Sequence, residues 1–251
     1  MGEQELNGRT AIITGAAGGI GAATAVMLAK AGARVVLTDI KQAEGRKTAA
    51  GIGPNARFAD HDVSDSGDWQ AVVAFAEAEF GPVSILVNNA GVAVIPAPLD
   101  QVSDADYRRT IEVNQMSCFL GMKAVVPSMR RAGGGAIVNV SSVAGLKAER
   151  GAIAYCASKF AVTGMTKVAA LDLASDRIRV NSVHPGLVDT PMVRPRGGPE
   201  AFEPIMQFAA TLPIPRPARP EEIANLIVFL ASDAASFLTG GAYTADGGWT
   251  L

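Results

Sequence analysis

The stretch TGAAGGIG (14–21) joins a short apolar segment, TAIIT (10–14), to a segment with a helical pattern that begins near residue 19. Glycines at such a junction allow a tight turn and let the backbone approach a ligand closely. The first turn of the helix that follows offers unpaired N–H groups and the positive end of the helix dipole, which favour a pyrophosphate. A glycine cluster alone often marks only a turn, so its meaning depends on the rest of the chain.

An acidic residue, Asp39, follows the next apolar segment, RVVLT (34–38), which is predicted to be the second strand. A carboxylate in that place can accept hydrogen bonds from both hydroxyls of an adenosine ribose, and it repels a 2′-phosphate. Asp39 therefore favours NAD over NADP as the bound dinucleotide. Two alternatives stay open, because Asp39 could instead cap the next helix and Lys41 could make room for NADP.

Short β-rich segments alternate with helical patterns along the whole chain. Most of the predicted strands are apolar on both faces, which is typical of a parallel sheet covered by helices on both sides. The alternation predicts an α/β fold with one doubly wound parallel sheet, in a single domain that spans 1–251. Strands are predicted at 10–14, 34–38, 56–60, 84–89, 135–141, 179–185 and 241–247. Helices are predicted near 19–31, 41–50, 67–80, 104–131, 152–175 and 221–231.

The composition is that of a globular protein, because 49% of the residues are hydrophobic and only 18% are charged. A net charge of −2 without a basic stripe argues against a nucleic-acid partner. No apolar run approaches the length of a membrane span and the N-terminus has no signal-peptide pattern, so we expect a cytoplasmic protein without a membrane partner. Cys118 and Cys156 form neither a disulfide framework nor a CxxC motif, so we expect no metal.

The segment YCASK (155–159) places a phenol and an ammonium on one predicted helix. Residues i and i+4 lie on the same face of a helix, so Lys159 is expected beside Tyr155. A neighbouring positive charge favours tyrosinate, which suits the pair to proton transfer near neutral pH. On an arbitrary helix such a pair is usually only a surface contact, so the motifs around it decide its meaning.

Four motifs occur in order along the chain: TGxxxGxG in the glycine loop, NNAG (88–91), YCASK (155–159) and HPGLVDT (184–190). Together they resemble the short-chain dehydrogenase/reductase family over essentially the whole chain. The resemblance implies a single-domain Rossmann fold of about seven parallel strands. It also implies reversible hydride transfer between a nicotinamide cofactor and a carbonyl or secondary-alcohol carbon. Gly18 occupies a loop position where NADP-using relatives often carry Arg or Lys, which again favours NAD.

The resemblance implies catalytic roles for four residues. Tyr155 would exchange a proton with the substrate oxygen, while Lys159 would favour the tyrosinate and hold the nicotinamide ribose. Ser142, thirteen residues before Tyr155, would hydrogen-bond the substrate oxygen. Its neighbour Ser141 is the weaker candidate, because adjacent strand residues point to opposite faces. Asn114 would hold a water in a proton relay to Lys159.

The family's cofactor site matches residues from several parts of this chain. By resemblance, the glycine loop would hold the pyrophosphate, NNAG would flank the adenosine ribose, and the segment after the sixth strand would run along the nicotinamide. Asp62 and Val63 would lie at the adenine ring. The residues implied in cofactor binding are Gly15, Gly18, Gly19, Ile20, Gly21, Asp39, Ile40, Asp62, Val63, Asn89, Ala90, Gly91, Tyr155, Lys159, Pro185, Gly186, Val188 and Thr190.

The irregular segment 187–219 is predicted to be a substrate-binding loop or lid, because long insertions after a strand often cover a ligand. Within it, EAFEPIMQFAATL (200–212) could form a short helix or two. Most candidate pocket residues are apolar, so we expect a hydrophobic small-molecule alcohol or ketone as the substrate. The residues expected to contact it are Ser142, Ala144, Tyr155, Leu187, Met192, Phe202 and Met206.

Three functions fit these residues. The first is an NAD-dependent alcohol dehydrogenase or ketone reductase that uses Ser142, Tyr155 and Lys159. The second is a 3-oxoacyl-thioester reductase that acts on acyl carrier protein with NADPH, which Asp39 and Gly18 disfavour. The third is a non-catalytic NAD-binding regulator, which the intact catalytic set disfavours.

The resemblance further implies a homotetramer, in which helices 104–131 and 152–175 form one interface and the C-terminal strand region forms another. The sequence itself shows that AIAYCASKFAVTGMTKVAALDLA (152–174) is apolar over most of its circumference, so something must cover this helix. Trp249 and Leu251 are too apolar for a free tail. We expect them to pack on the domain or on a neighbouring subunit.

Overall fold

Strands and helices alternate along the chain in the computed structural model, which describes residues 6–93, 95–194 and 199–251 apart from the side chains of 199–202. The strands are β1 (Thr10–Thr14), β2 (Arg34–Asp39), β3 (Ala56–Asp60), β4 (Val83–Asn88), β5 (Gly135–Val140), β6 (Ile178–Pro185) and β7 (Ala242–Ala245). The helices are α1 (Gly19–Lys30), α2 (Gln42–Ile52), α3 (Ser66–Phe80), α4 (Asp104–Ile111), α5 (Ser117–Arg131), α6 (Ile153–Leu173), α7 (Pro199–Ala209) and α8 (Pro220–Ala231).

The strands form one parallel sheet of seven strands in the order β3-β2-β1-β4-β5-β6-β7. The chain runs outward from β1 to β3 at one edge and then outward from β4 to β7 at the other. Strand order reverses between β1 and β4, and ligands of doubly wound sheets bind at the carboxyl ends of the strands on either side of such a reversal. The predicted single-domain α/β fold with a doubly wound parallel sheet is confirmed.

Separate helix layers cover the two faces of the sheet, because neighbouring strand residues point to opposite sides. On β1, Ile13 packs in the core with Leu28 of α1, whereas Ile12 packs in the other core with Trp69 of α3 and Met129 of α5. Burying a side chain of this size contributes about 1.5–3 kcal/mol. Strands that are apolar on both faces are therefore explained by two cores, one on each side of the sheet.

Two predicted elements differ from the structure. The predicted helix 104–131 is interrupted by a π-helical turn, Glu112–Met116, between α4 and α5. The turn lies inside a run of residues that is helical from Asp104 to Arg131, so the sequence predicts one continuous helix. The predicted strand 241–247 ends earlier, at Ala245. The carboxylate of Asp246 accepts hydrogen bonds from the N–H groups of Gly248 and Thr250 and turns the chain out of the sheet.

The segment 187–219 leaves β6 and returns to the same place. Its two ends meet in a parallel bridge between Val188 and Ala218, and Ala218 N–H donates to the carbonyl of Leu187 at 2.9 Å. Between these ends lies α7, which matches the short helix expected there. The segment therefore forms a loop whose two ends are paired, and it lies at the carboxyl edge of the sheet, where a lid would have to lie.

Candidate active site

The glycine loop lies between β1 and α1, beside the reversal in strand order. A Cβ on Gly21 would lie 2.4 Å from the carbonyl oxygen of Gly15, so α1 can pack on the loop only with glycine at this position. Gly19 has a left-handed φ of 55°, and a Cβ there would lie 3.1 Å from Thr190 Cγ2. Gly18, the N-cap of α1, has no side chain with which to cap the helix. The N–H groups of the first turn are therefore placed to receive a phosphate.

A hydroxyl that the motif analysis did not single out fastens this loop to the end of β4. Thr14 Oγ1 accepts the N–H groups of Asn89 and Ala90, each at 3.0 Å. Asn89 Nδ2 donates in return to the carbonyls of Thr14, at 2.9 Å, and Gly15, at 3.2 Å. Asn89 and Ala90, predicted to bind the cofactor, thus hold the glycine loop in place. The signal for Thr14 is the first letter of the TGxxxGxG motif.

Asp39 is the last residue of β2 and is bonded to the glycine loop. Its Oδ2 accepts the N–H of Ala17 at 3.0 Å, and its Oδ1 accepts the N–H of Lys41 at 3.0 Å. These two bonds fix the carboxylate, and each oxygen keeps a lone pair for a further donor. The bond to Lys41 also turns the chain toward α2, for which Lys41 is the N-cap. Ile40, beside it, is exposed.

Asp62 and Val63, predicted to lie at the adenine ring, follow β3 at the same edge of the sheet. The Asp62 carboxylate accepts the O–H and the N–H of Ser64, and the bond from the hydroxyl is the main cause that lowers the pKa of Asp62. Val63 is buried, and its carbonyl accepts the Nε1–H of Trp69 at 2.9 Å. The buried ring of His61 meets the Trp69 ring edge-on, with the centroids 4.4 Å apart. These contacts make the end of β3 a well-ordered surface.

Tyr155 and Lys159 lie in the first two turns of α6, which begins at Ile153. The Nζ of Lys159 is 5.6 Å from the centroid of the Tyr155 ring, so the two side chains are neighbours on one face of the helix. Lys159 is buried, and its Nζ donates to the carbonyl of Val140, the last residue of β5, at 2.9 Å. Burial removes water that would screen the ammonium, which strengthens its field at the neighbouring phenol.

The hydroxyls of the two serines after β5 have different partners. Ser141 is buried, and its Oγ donates to the carbonyl of Lys159 at 3.0 Å. Ser142 is half-buried, and its Oγ accepts the N–H of Ala144 at 3.1 Å. That bond leaves the hydroxyl proton of Ser142 free to be donated. Ser142 is therefore better suited than Ser141 to bind a substrate oxygen.

Asn114 is completely buried in the π-helical turn between α4 and α5. Its Oδ1 accepts the N–H of Val92 at 2.7 Å, and its Nδ2 donates to the carbonyl of Val92 at 2.9 Å and to Ser158 Oγ at 3.3 Å. A Cβ on Gly91 would lie 3.2 Å from Asn114 Oδ1 and 3.7 Å from Lys159 Nζ. The structure thus brings Asn114 and Lys159 together around Gly91. π-Helical turns are frequent at functional sites.

The segment predicted to run along the nicotinamide begins at the end of β6 and passes the glycine loop. The N–H of Gly186 donates to the carbonyl of Ala245 at 3.2 Å, which fixes it beside the end of β7. Val188 is buried in the core that includes α1 and α8, and Thr190 packs against Gly19. Gly19 and Thr190, which lie far apart in the chain, therefore border one crevice.

The predicted substrate residues differ in how they meet the surface. Ala144 is only 1% exposed and its N–H donates to Ser142 Oγ, so it contributes to the site through that serine. The side chain of Phe202 lies outside the described residues. The other described members of the apolar set are partly exposed at the carboxyl edge: Leu187, Met192 and Met206.

Trp249 connects the loop after Ser142 to α7. Its ring meets the ring of Phe208, on α7, with the centroids 4.9 Å apart. The Nζ of Lys147 lies 4.8 Å from the Trp249 ring and donates to the Trp249 carbonyl at 3.2 Å. Trp249 therefore packs on its own domain, which is one of the two alternatives expected for it, whereas Leu251 is fully exposed.

The side chains around the crevice fit a nicotinamide dinucleotide. The N-terminus of α1 suits the pyrophosphate, the Asp39 carboxylate suits a ribose diol, and the Lys159 ammonium suits the second ribose. Across residues 6–93, 95–194 and 199–251, no three His, Cys, Asp or Glu side chains cluster as metal ligands would. Over the same ranges no helix has the length and apolar composition needed to cross a membrane.

Comparisons with known proteins identify relatives over nearly the whole chain. A family model described as enoyl-(acyl carrier protein) reductase matches residues 15–250. The trans-4-hydroxycyclohexanecarboxylate dehydrogenase of Sinomonas cyclohexanicum is 45% identical over 96% of this chain and 93% of its own. The 3-alpha-(or 20-beta)-hydroxysteroid dehydrogenase of Mycobacterium bovis is 41% identical over 97% and 90% of the two chains. The cyclohexanol dehydrogenase of Acinetobacter sp. is 39% identical over 98% and 96%.

The three relatives are named as dehydrogenases, and each matches this chain over nine-tenths or more of both lengths. The seven-stranded parallel sheet agrees with the fold that the four motifs predict. The chain is thus an oxidoreductase that acts on CH–OH groups with a nicotinamide cofactor, and it belongs to the short-chain dehydrogenase/reductase family.

Proposed function

We propose that this protein is an NAD-dependent dehydrogenase of alicyclic secondary alcohols, which also reduces the corresponding ketones. The observation that carries the proposal is the convergence of Ser142, Tyr155 and Lys159 at the carboxyl edge of the sheet. Lys159 Nζ lies near the Tyr155 ring and donates to the carbonyl of Val140, two residues before Ser142. The ammonium of Lys159 therefore lies between the phenol of Tyr155 and the strand end that precedes Ser142.

Charge around the adenosine ribose supports NAD over NADP. The carboxylate of Asp39, fixed by the N–H groups of Ala17 and Lys41, would accept the two ribose hydroxyls and repel a 2′-phosphate. Gly18 adds no positive charge to the loop. The ammonium of Lys41 is exposed, and water and salt screen it from a phosphate more than they screen a direct carboxylate contact.

The proposed chemistry assigns a proton to Tyr155 and a hydrogen bond to Ser142. The nicotinamide ring, when bound, supplies the hydride chemistry at the alcohol or carbonyl carbon. In the oxidation, tyrosinate at Tyr155 takes the hydroxyl proton of the substrate; in the reduction, neutral Tyr155 donates it to the carbonyl oxygen. Lys159 holds its positive charge beside the phenol. Ser142 donates to the substrate oxygen and holds it beside the phenol.

Asn114 is proposed to support the exchange of this proton with solvent through Lys159. Its carboxamide is used on Val92 and Ser158, so we assign the water-binding role to its main-chain carbonyl. A π-helical turn moves carbonyls out of the regular α-helical pairing, which makes such a role available. The side chain of Asn114 then holds the backbone of Val92 against Ser158 of α6.

The substrate is proposed to be a ring-shaped secondary alcohol. The segment that follows β6 carries partly exposed apolar side chains, among them Leu187, Met192 and Met206, and the ring of Trp249 contacts Lys147 in the loop after Ser142. By their names, the three relatives act on a hydroxycyclohexanecarboxylate, a hydroxysteroid and cyclohexanol. Burying a cyclohexane ring contributes about 0.8 kcal/mol per CH₂ group, which suits an apolar cleft to a carbocycle.

The 3-oxoacyl-thioester reductase is the second candidate, because the matching family model is described as an enoyl-(acyl carrier protein) reductase. That activity usually calls for NADPH and a basic surface for the carrier protein. Asp39 and Gly18 argue against NADPH, and the net charge of the chain is −2. The non-catalytic regulator is disfavoured because Ser142, Tyr155 and Lys159 are all present.

We also propose that the protein is a cytoplasmic homotetramer. Cys118 and Cys156 are unpaired, as is usual in a reducing compartment. The helices expected at one interface, and the turn between α4 and α5, carry large apolar side chains on the surface, and exposed apolar groups of this kind mark contact sites. These side chains are Tyr107, Met116, Phe119, Ile153, Phe160, Val168 and Leu171.

Initial rates with the purified protein test the function. Cyclohexanol, trans-4-hydroxycyclohexanecarboxylate and a hydroxysteroid are each supplied with NAD⁺, and a 3-oxoacyl thioester is supplied with NADPH. We expect turnover of at least one alicyclic alcohol with NAD⁺ and little turnover of the thioester. Turnover of the thioester alone would overturn the proposal in favour of the second candidate.

A further inference from the structure

His184 makes two short hydrogen bonds inside the protein. It belongs to the end of β6 and is completely buried. Its Nδ1 lies 2.8 Å from the carbonyl oxygen of Ser142, and its Nε2 lies 2.8 Å from Ser182 Oγ. One ring therefore joins the serine proposed to bind the substrate oxygen to the interior of β6.

The partners of the ring determine where its proton lies. A carbonyl oxygen can only accept, so the bond to Ser142 requires a proton on Nδ1 of His184. In a neutral imidazole Nε2 then has to accept, which makes the hydroxyl of Ser182 the donor at 2.8 Å, in preference to its longer contact of 3.3 Å with the carbonyl of Gly241. Burial lowers the pKa of His184, which favours the neutral ring. The Nδ1–H tautomer is thus the one that satisfies both bonds.

The bond from His184 extends the pairing of β5 with β6 beyond the last backbone bond between these strands. The N–H of Ser141 donates to the carbonyl of Val183 at 2.8 Å. One residue further on, the carbonyl of Ser142 receives the imidazole N–H instead of a backbone N–H. The strand end that carries the Ser142 hydroxyl is therefore held by a side chain.

His184 also stands immediately before the segment expected to run along the nicotinamide. Gly186, two residues on, is fixed by its bond to the carbonyl of Ala245. A single ring thus connects the residue that would hold the substrate oxygen with the residues that would hold the nicotinamide. Hydride transfer depends on the distance between these two ligands, and a misplacement of about 1 Å can cost about 100-fold in rate.

We propose that His184 is a positioning residue for the reaction: through its Nδ1–H it fixes the main chain of Ser142 relative to the nicotinamide segment. This inference rests on the proposed function of Ser142. His184 touches neither substrate nor cofactor in this role, so its loss should slow the reaction without weakening cofactor binding.

Substitutions at His184 test the proposal, because Asn places an N–H near the position of Nδ1 whereas Ala does not. We expect His184→Ala to lower kcat with an alicyclic alcohol about 10- to 100-fold and to leave the Kd for NADH within about 2-fold. His184→Asn should restore kcat to within about 3-fold of the wild type. A His184→Ala protein that keeps its kcat, or a His184→Asn protein as slow as His184→Ala, overturns the proposal.

The tautomer gives a second test that needs no substitution at His184. In ¹⁵N NMR spectra of the wild type, the proton of the His184 ring should lie on Nδ1. Ser182→Ala removes the donor to Nε2 and should slow turnover less than His184→Ala does. A wild-type proton on Nε2 contradicts the inferred contact with Ser142. Tyr155→Phe in the same assay tests the function separately: turnover that survives Tyr155→Phe overturns the proposed mechanism, whereas unchanged turnover in His184→Ala overturns only the role of His184.

Discussion

At the scale of single residues, we propose that Asp39 determines which dinucleotide the protein accepts. Replacing it with Ala removes a fixed carboxylate that would bind the ribose diol. Hydrogen bonds to a charged group contribute about 1.5–3 kcal/mol each, so we expect the NADH affinity to fall at least about 10-fold. The NADPH affinity should rise, because the repulsion of the 2′-phosphate is gone. Calorimetric titration of the wild type and of Asp39→Ala, each with NADH and with NADPH, measures the change in affinity.

Asp60 provides the matched control for this prediction. It ends β3 directly opposite Asp39 in the strand register, and its carboxylate accepts a hydrogen bond from Gln42 on the surface. Asp60→Ala removes the same charge nearby and should leave the ratio of NADH to NADPH affinity almost unchanged. Equal shifts in Asp39→Ala and Asp60→Ala would show that general charge, and not a ribose contact, sets the preference.

His61 should make the protein less stable as the pH falls. Burial lowers the pKa of His61 from 6.5 to about 4, against the opposing effect of Asp68 and nearby carboxylates. Above pH 6.5 the ring is neutral in both the folded and the unfolded chain. Between pH 6.5 and about 4, His61 is protonated in the unfolded chain but not in the folded chain. The free energy of unfolding therefore falls by about 1.4 kcal/mol for each unit by which the pH is lowered.

Urea unfolding at about pH 7.5 and about pH 5 measures this loss, which should reach about 2 kcal/mol for His61. His61→Gln lowers stability at both pH values but should remove this part of the pH dependence. The chain has two histidines, and burial also lowers the pKa of His184, so His184→Asn is the matched control that retains the contribution of His61. Equal pH dependence in His61→Gln and the wild type would contradict the assignment.

The sequence predicts side chains that act through local spacing better than those that act across the fold. Tyr155 and Lys159 are neighbours because helical geometry fixes positions i and i+4. Thr14 binds Asn89 across 75 residues, and His184 binds Ser142 across 42 residues. Contacts of this kind form only when the sheet brings strand ends together, so the spacing of these residues along the sequence does not predict them.

At the scale of elements, the junction of β1 and α1 depends on glycine at position 21. Gly21→Ala places a Cβ 2.4 Å from the carbonyl oxygen of Gly15, so the loop has to shift. We expect a loss of about 1–3 kcal/mol in stability, as for other overpacked sites. The NADH affinity should fall with it, because the N–H groups that receive the pyrophosphate move. Thermal unfolding and NADH titration measure the two effects.

Gly51 provides the comparison for that variant. It lies inside α2, and a Cβ there would meet no atom within 4 Å. Gly51→Ala should therefore stabilise the protein by about 0.5–1 kcal/mol and leave NADH binding unchanged. If Gly21→Ala binds NADH as well as Gly51→Ala does, the glycine loop does not hold the pyrophosphate.

Most elements follow from the apolar pattern, and the differences have local causes. The strands β1 to β6 lie within about a residue of their predicted bounds, since runs that are apolar on both faces have to be covered on both sides. The break between α4 and α5 is not predicted, because the π-helical turn lies within a run of residues that is helical on both sides of it. β7 is shorter because the hydrogen bonds of Asp246 end it.

At the scale of the whole molecule, the exposed apolar surface of α5 and α6 predicts self-association. Leu171 is 81% exposed on α6, near Val168, and both belong to the helix expected at one interface. Leu171→Glu places a charge on that surface, and burying an unpaired charge is unfavourable. We expect the wild type to sediment as a tetramer and Leu171→Glu as a smaller species in analytical ultracentrifugation.

Ile40 is the control for this experiment, because it is 68% exposed but lies at the end of β2, away from α5 and α6. Ile40→Glu should sediment as the wild type does. A wild-type protein that sediments as a monomer would show that the exposed side chains of α5 and α6 have no partner in a second copy of the chain.

The order of the strands in the sheet is the part of the architecture that the residue pattern does not predict. Alternation of strands and helices predicts a doubly wound parallel sheet, but no residue pattern shows where the strand order reverses, which the structure places between β1 and β4. That reversal creates the crevice, and it brings residues as far apart as Gly21 and Tyr155 to one edge of the sheet. The strand order therefore explains why motifs that are far apart in the sequence lie together, although no single motif predicts that order.

The measurement that tests the central claim most directly compares the wild type and Tyr155→Phe with one alicyclic alcohol, each with NAD⁺ and with NADP⁺. We expect the wild type to turn over with NAD⁺ at least about 10-fold faster than with NADP⁺. Tyr155→Phe should lose at least about 100-fold in kcat while its Kd for NADH changes by no more than about 10-fold, because Phe loses the hydroxyl that transfers the proton and at most one hydrogen bond to the cofactor. A Tyr155→Phe protein that retains turnover, or a wild type that prefers NADP⁺, would contradict the account.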